Sequence, residues 1–304
     1  MKKFLSVINK DKLTLIASIV LLIYFVMAIS TDIYSIHCEV TGKIPIYNIE
    51  NSNLSYSPPT LQHWLGTDYL GRDVLFRAIA GSATAIKIGV IASLISSFIG
   101  VILGAFGGYF GGKIDKVVVW VYSTFASMPT LLFILAFTLL IGKGFLSPEL
   151  MENLNNFADR FHFKLDLFAI YLAIGLTGWV TIAKVVRAEA MKLRNMAYVE
   201  NARVAGKSEL KILFHDVIPN LFHIVIIYFA MRFAFAIMTE VVVSYLGFGV
   251  QSMPSWGVMI SVGQERLWRG FWWEIAAAGS FLFFLVLSLN ILGDSLRDKL
   301  DPRD

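Results

Sequence analysis

Six stretches of the chain are continuously apolar and long enough to cross a lipid bilayer, and no other feature narrows the fold so far. They run roughly over 13–30, 88–110, 117–142, 167–183, 221–248 and 275–293. A spanning helix needs ~20 mostly apolar residues. Inside lipid the backbone must satisfy its own hydrogen bonds, so only helices and closed barrels can span. Barrel strands alternate apolar and polar residues, and these runs do not. The pattern predicts an all-α polytopic membrane protein with six transmembrane helices. Composition agrees, with 57% hydrophobic and 16% charged residues, against about 45–50% and 25% in soluble domains. The same values exclude a disordered chain.

Charge placement gives the orientation. Segments 31–87, 143–166 and 249–274 fall on one side and carry nine Lys and Arg. Segments 1–12, 111–116, 184–220 and 294–304 fall on the other and carry sixteen. The positive-inside rule puts the second side, with both termini, in the cytoplasm. The first run could be a signal peptide, since Lys2, Lys3, Lys10 and Lys12 precede it and Ala28-Ile29-Ser30 resembles a cleavage site. At 18 residues it exceeds the usual ~7–15 of such a region, which favours an uncleaved anchor. Trp256, Trp268, Trp272 and Trp273 cluster beside the last run and suit an interfacial aromatic belt. Segment 31–60 reads as an ordered loop or small cap, and 143–166 has room for a short outer helix. The expected divisions are 1–60 (tail, first span and outer loop), 61–87 (outer lead-in), 88–293 (pore domain) and 294–304 (cytoplasmic tail). A multi-pass protein of the cell (inner or plasma) membrane, in contact with lipid and not with nucleic acid, follows.

Catalytic and metal patterns are missing. His37, His63, His162, His215 and His223 form no metal-binding spacing, and no Gly-x-Ser-x-Gly elbow occurs. Cys38 is the single cysteine. Gly206-Lys207-Ser208 imitates the end of a phosphate loop, but Asn201 stands where the first glycine is required. The chain therefore lacks its own ATP site, and any energy must enter through a partner.

Three features remain. Arg232 and Glu240 lie inside the fifth run, two helical turns apart on roughly one face, where each charge costs about 2.5–3.5 kcal/mol at the bilayer centre. They are candidates for a pathway, for a structural pair that neutralises itself, or for snorkelling toward an interface. Gly100, Gly104 and Gly108 make two small-xxx-small steps, which suit close helix packing within the chain or against a second subunit. Segment 184–220 mixes seven basic and four acidic residues with Val199, Ala202, Ala205, Leu210, Ile212 and Leu213. It reads as a helix–turn–helix divided at Gly206 and closed by Pro219, offering a short helix to a cytoplasmic partner.

Those residues carry a resemblance. Tyr198-Val199-Glu200-Asn201-Ala202-Arg203-Val204-Ala205-Gly206 resembles the EAA signature of binding-protein-dependent ABC importer permeases, with Asn201 at its middle Ala. His215-Asp216-Val217-Ile218-Pro219-Asn220 is similar to the motif's close, with Asp216 in place of a common His. The runs His63–Val74, Gly108–Gly112 with Asp115, Ser244–Gln251 with Pro254–Gly257, and Asp294–Arg303 resemble the C-type subunit of the dipeptide, oligopeptide and nickel branch. Trp120 and Ser123 stand where the family often has a basic and an acidic residue before Pro129.

The resemblance implies a type I ABC importer transmembrane domain. It implies a second homologous permease, one or two cytoplasmic ATPase subunits that use ATP and Mg, and an extracytoplasmic binding protein. This subunit would bind no cofactor and no metal and catalyse nothing. Tyr198, Glu200, Ala202, Arg203, Gly206 and Pro219 would couple it to an ATPase. Peptides are the expected cargo and nickel the alternative. An ion-coupled carrier, which would show inverted repeats and coupling carboxylates, and a membrane-embedded enzyme are the competing classes.

Overall fold

A computed structural model describes residues 12–142, 146–160, 164–250 and 252–300. Lys2, Lys3, Lys10, His162, Gln251 and Asp301–Arg303 lie outside the described residues. The described chain is almost wholly helical. Its helices are α1 (Lys12–Thr41), α2 (Val74–Phe110), α3 (Gly112–Ser127), α4 (Thr130–Gly142), α5 (Pro148–Arg160) and α6 (Leu165–Leu193). They continue with α7 (Ala197–Val204), α8 (Glu209–Ile212), α9 (Phe222–Tyr245), α10 (Trp256–Leu267) and α11 (Trp273–Leu300).

Five helical segments are long and apolar enough to span a membrane, and the bent pair α3–α4 makes a sixth. Helices outrun the apolar runs because caps, not hydropathy, end them. The α2 helix starts fourteen residues before position 88, where the Asp73 carboxylate accepts the Phe76 N–H at 3.1 Å. It ends at Gly111, whose φ of +67° suits glycine. Its 37 residues reach about 55 Å, well beyond a ~30 Å hydrocarbon core. The expected boundary at 88 therefore falls inside a helix, as does the one at 294, which α11 crosses.

The run 117–142 is not one straight span. Its helices α3 and α4 meet at 87°. Pro129 is the physical cause, because its ring forces the preceding residue out of helical conformation. Met128 is indeed extended, with φ −84° and ψ 134°.

Segment 31–60 is helical to Thr41 and then forms a cap with short 3-10 turns at Ile46–Asn48 and Ser52–Leu54. Asp68, fully buried, organises that cap by accepting the Leu70 and Arg72 N–H groups and the Arg72 guanidinium. The 148–160 stretch carries the expected short helix, α5.

Among the described residues, buried apolar ones gather in three clusters along the bundle. Tyr24 of α1, Ala78 of α2, Phe233 and Ile237 of α9, Trp256 of α10 and Leu285 of α11 pack in one cluster. A second cluster at the loop end joins Ala105 and Tyr109 of α2 to Ile182, Val186 and Ala190 of α6. Trp256 and Trp273 do not belong to an aromatic belt. Both are buried, and their indole N–H groups donate to the carbonyls of Ala78 (2.8 Å) and Thr67 (2.9 Å). Trp268 and Trp272 are exposed, as a belt requires.

Candidate functional site

The residues singled out between 196 and 221 assemble into one braced unit. Met196 is extended (ψ 145°), and α7 begins directly after it. The helix stops in a Schellman turn: Lys207 N–H reaches the Ala202 carbonyl at 3.1 Å and Gly206 N–H reaches Arg203 at 3.0 Å. Gly206 has φ +79°, the left-handed conformation that the sequence placed there. The chain continues through α8, a π turn at Leu213–Val217 and a 3-10 turn at Ile218–Leu221 into α9. Pro219, lacking an N–H, sits where the regular ladder is interrupted.

Two faces result. Val199, Ile212, Leu213, Val217 and Leu221 are fully buried against the loop-end cluster of α2 and α6, with Ala202 partly buried beside them. Tyr198, Glu200, Asn201, Arg203 and Val204 are exposed, Val204 at 88%.

Solvent-exposed charge pairs add to this geometry. The Glu209 carboxylate accepts from Arg203 Nε at 2.8 Å and from the Tyr109 hydroxyl on α2. Lys207 Nζ lies 2.8 Å from Asp216, whose carbonyl accepts from Asn220 Nδ2 at 2.7 Å. Lys207, the lysine of the imitation phosphate loop, is thus occupied in a structural pair. Partial burial raises the Tyr198 phenol above its ordinary pKa, so it remains a neutral hydroxyl beside Asn220.

The two intramembrane charges have separate surroundings. Glu240 is 1% exposed and its Oε1 accepts from Ser244 at 2.6 Å and Ser255 at 2.7 Å. It ties α9 to the start of α10 and lines no open surface. Arg232 does not pair with it. Its Nε is buried without a hydrogen-bond partner, and its guanidinium carbon stands 4.8 Å from the Phe235 ring. A Cβ on Gly178 of α6 would lie 2.1 Å from Arg232 Nη2.

The glycine ladder faces α6 of the same chain. A Cβ on Gly100 would meet Ile182 at 2.7 Å, on Gly104 the Ala183 carbonyl at 2.6 Å, and on Gly108 the Arg187 carbonyl at 2.3 Å. Of the two readings of these glycines, intrachain packing is the one that this geometry supports.

Ser255 bonds Glu240, Tyr109 bonds Glu209, and Arg187 Nη2 lies 2.7 Å from Asp115 Oδ2, and no sequence pattern names these partners. Only a buried carboxylate's need for donors signalled them, and such a need names no partner across the sequence.

A multi-pass helical membrane protein with one exposed, internally braced short helix at an end of its bundle is thereby defined. The chain belongs to the binding-protein-dependent transport system inner membrane component family, which it matches over residues 96–303. It is 32% identical over 297 residues to the dipeptide transport system permease protein DppC of Bacillus subtilis, covering 97% of this chain and 83% of the relative. It is 34% identical over 243 residues to the oligopeptide transport system permease protein OppC of Escherichia coli K12, covering 80% and 73%. Similarity extends to the glutathione transport system permease protein GsiD of Pectobacterium atrosepticum, 29% identical over 247 residues, covering 81% and 74%.

Proposed function

We propose that this chain is one half of the pore of an ATP-driven importer in the cell membrane, and that it passes peptides delivered by an extracytoplasmic binding protein. Relatives named for dipeptide, oligopeptide and glutathione transport support the cargo. The observation that carries the coupling is the exposed face of α7 on a base welded to α2 and α6. The helix seats in a partner ATPase. A second homologous permease completes the pore.

Tyr198, Glu200, Ala202, Arg203, Gly206 and Pro219 serve the coupling in different ways. Glu200 and the exposed ring edge of Tyr198 contact the ATPase. Arg203 holds Glu209, Ala202 packs inward, and Gly206 and Pro219 shape the turns. When ATP and Mg in the partners draw the ATPases together, α7 moves as a rigid body with α2 and α6. This subunit supplies no catalytic group. The basic loop end and both termini lie in the cytoplasm.

Co-expression with candidate ATPase, second permease and binding protein, then reconstitution into liposomes, tests the reading. ATP-dependent uptake of a labelled peptide is expected. Uptake that ignores ATP and follows an ion gradient would overturn it. Labelling of Val204→Cys only from inside and Leu61→Cys only from outside, in a Cys38→Ser background, tests the orientation.

A further inference from the structure

Arg232 stands near the middle of the 221–248 run, over the Phe235 ring at 4.8 Å. Among the described residues no carboxylate forms an ion pair with it. The buried Nε has no acceptor. A guanidinium cannot shed its proton in a protein, so neutralisation by deprotonation is closed to it. A cation at this depth needs water, a carboxylate of a neighbouring subunit, or an anion that comes and goes, and the surface around it favours the last.

Its surroundings show where that anion would arrive. Met231, Phe235, Met238 and Val242 are spaced four, three and four residues apart and form one face of α9, and all four are exposed. The guanidinium rests over the Phe235 ring at the margin of that face. On its other side it occupies the space left by the missing side chain of Gly178, beside the Ser96 hydroxyl. One residue along α6, Thr177 lines a small hollow with Phe125, Met128, Thr130 and Phe133 of the α3–α4 elbow. Arg232 thus borders a surface whose other residues are mostly Met and Phe.

That combination matches one ligand chemistry. Methionine and phenylalanine walls adapt to side chains of differing shape and discriminate poorly among them. Free peptides differ in every side chain but share a terminal carboxylate. A guanidinium fork binds a carboxylate through two parallel hydrogen bonds. We propose that Arg232 is a transient receptor for the C-terminal carboxylate of a peptide crossing the pore, with the Met/Phe face of α9 accommodating the remainder. The inference rests on the peptide-importer reading above and adds a specificity-determining residue to it.

The test uses the reconstituted importer with its partners. Uptake of one peptide and of its C-terminal amide is compared, each normalised to its measured occupancy of the binding protein. Wild type should prefer the free acid. Arg232→Gln should lower free-acid uptake by roughly tenfold to a hundredfold, the loss expected for a hydrogen bond to a charged group. Amide uptake should change less than about twofold on the same basis, because the amide never made that bond. Arg232→Lys should fall between, and Gly178→Ala, which pushes the guanidinium out of its resting place, should imitate Arg232→Gln. Equal loss for acid and amide, or no loss for either, would overturn the proposal. So would failure of the Arg232→Gln chain to co-purify with the second permease, which would assign the charge to an intersubunit pair. Absence of ATP-dependent peptide uptake by wild type would instead sink the importer reading itself.

Discussion

Arg187 of α6 lies bidentate on Asp115 of α3, with Nη2 2.7 Å from Oδ2 and Nε on the other oxygen. The pair spans seventy-two residues of sequence and fastens the first arm of the elbow to the α2–α6 seam. Both side chains are about a fifth exposed (23% and 19%), so solvent weakens the pair without abolishing it. Asp115→Asn should lower the stability of the detergent-solubilised chain by about 1–2 kcal/mol, read as a downward shift of thermal unfolding. An Asp115→Arg/Arg187→Asp double variant should recover part of the loss. No recovery would mean that the charges act through other neighbours.

The glycine ladder predicts a graded response. Gly108→Val would drive side-chain carbons into the Arg187 carbonyl, and Gly104→Val into that of Ala183. Neither backbone can retreat without separating α2 from α6, so each should cost about 1–3 kcal/mol or prevent folding. Gly279→Ala of α11 meets nothing within 4 Å and should be neutral or slightly stabilising. Retained monodisperse protein after size-exclusion is the measurement. Equal behaviour of all three variants would contradict the seam.

Glu240 permits a sharper discrimination. Both hydroxyl donors, Ser244 and Ser255, converge on its Oε1. A glutamine keeps that acceptor and removes the charge, so Glu240→Gln should fold and transport nearly as wild type. Glu240→Ala leaves two buried hydroxyls unsatisfied and a cavity, for a loss of about 2–5 kcal/mol. Loss of transport by a well-folded Glu240→Gln chain would return this residue to the pathway.

Hydropathy made the helical class and the approximate positions of the spans legible, because lipid forces apolar faces all round. Ends were less legible. Asp73 and Gly111 terminate α2 through local hydrogen bonds and φ, to which apolar counting is blind. The elbow was signalled by Pro129, yet an unbroken apolar run on both sides concealed it. Trp256 and Trp273 were misplaced for a related reason. An indole beside a membrane end suits either the interface or the core, and only distant carbonyls at Ala78 and Thr67 decide. Gly206 was legible because its role is local. Ser255, Tyr109 and Arg187 were not, because their roles depend on which helices meet.

The turn at Gly206 gives the most direct separation of folding from coupling. Its φ of +79° is closed to proline, whose ring fixes φ near −65°, and its N–H donates to the Arg203 carbonyl. Gly206→Pro should therefore disorder the end of α7 while leaving Val199 and Ile212 as core anchors and the spans untouched. Glu200→Lys reverses a charge on the exposed face and touches no buried group. Both variants should insert and assemble normally in the membrane. In reconstituted vesicles each should retain hydrolysis by the ATPase but lose most peptide uptake, roughly tenfold or more if a charged contact is broken. The two need not fail alike. Loss in Gly206→Pro alone would place the coupling in the shape of the turn, and loss in Glu200→Lys alone in its charge. Wild-type uptake in both would remove α7 from the coupling path.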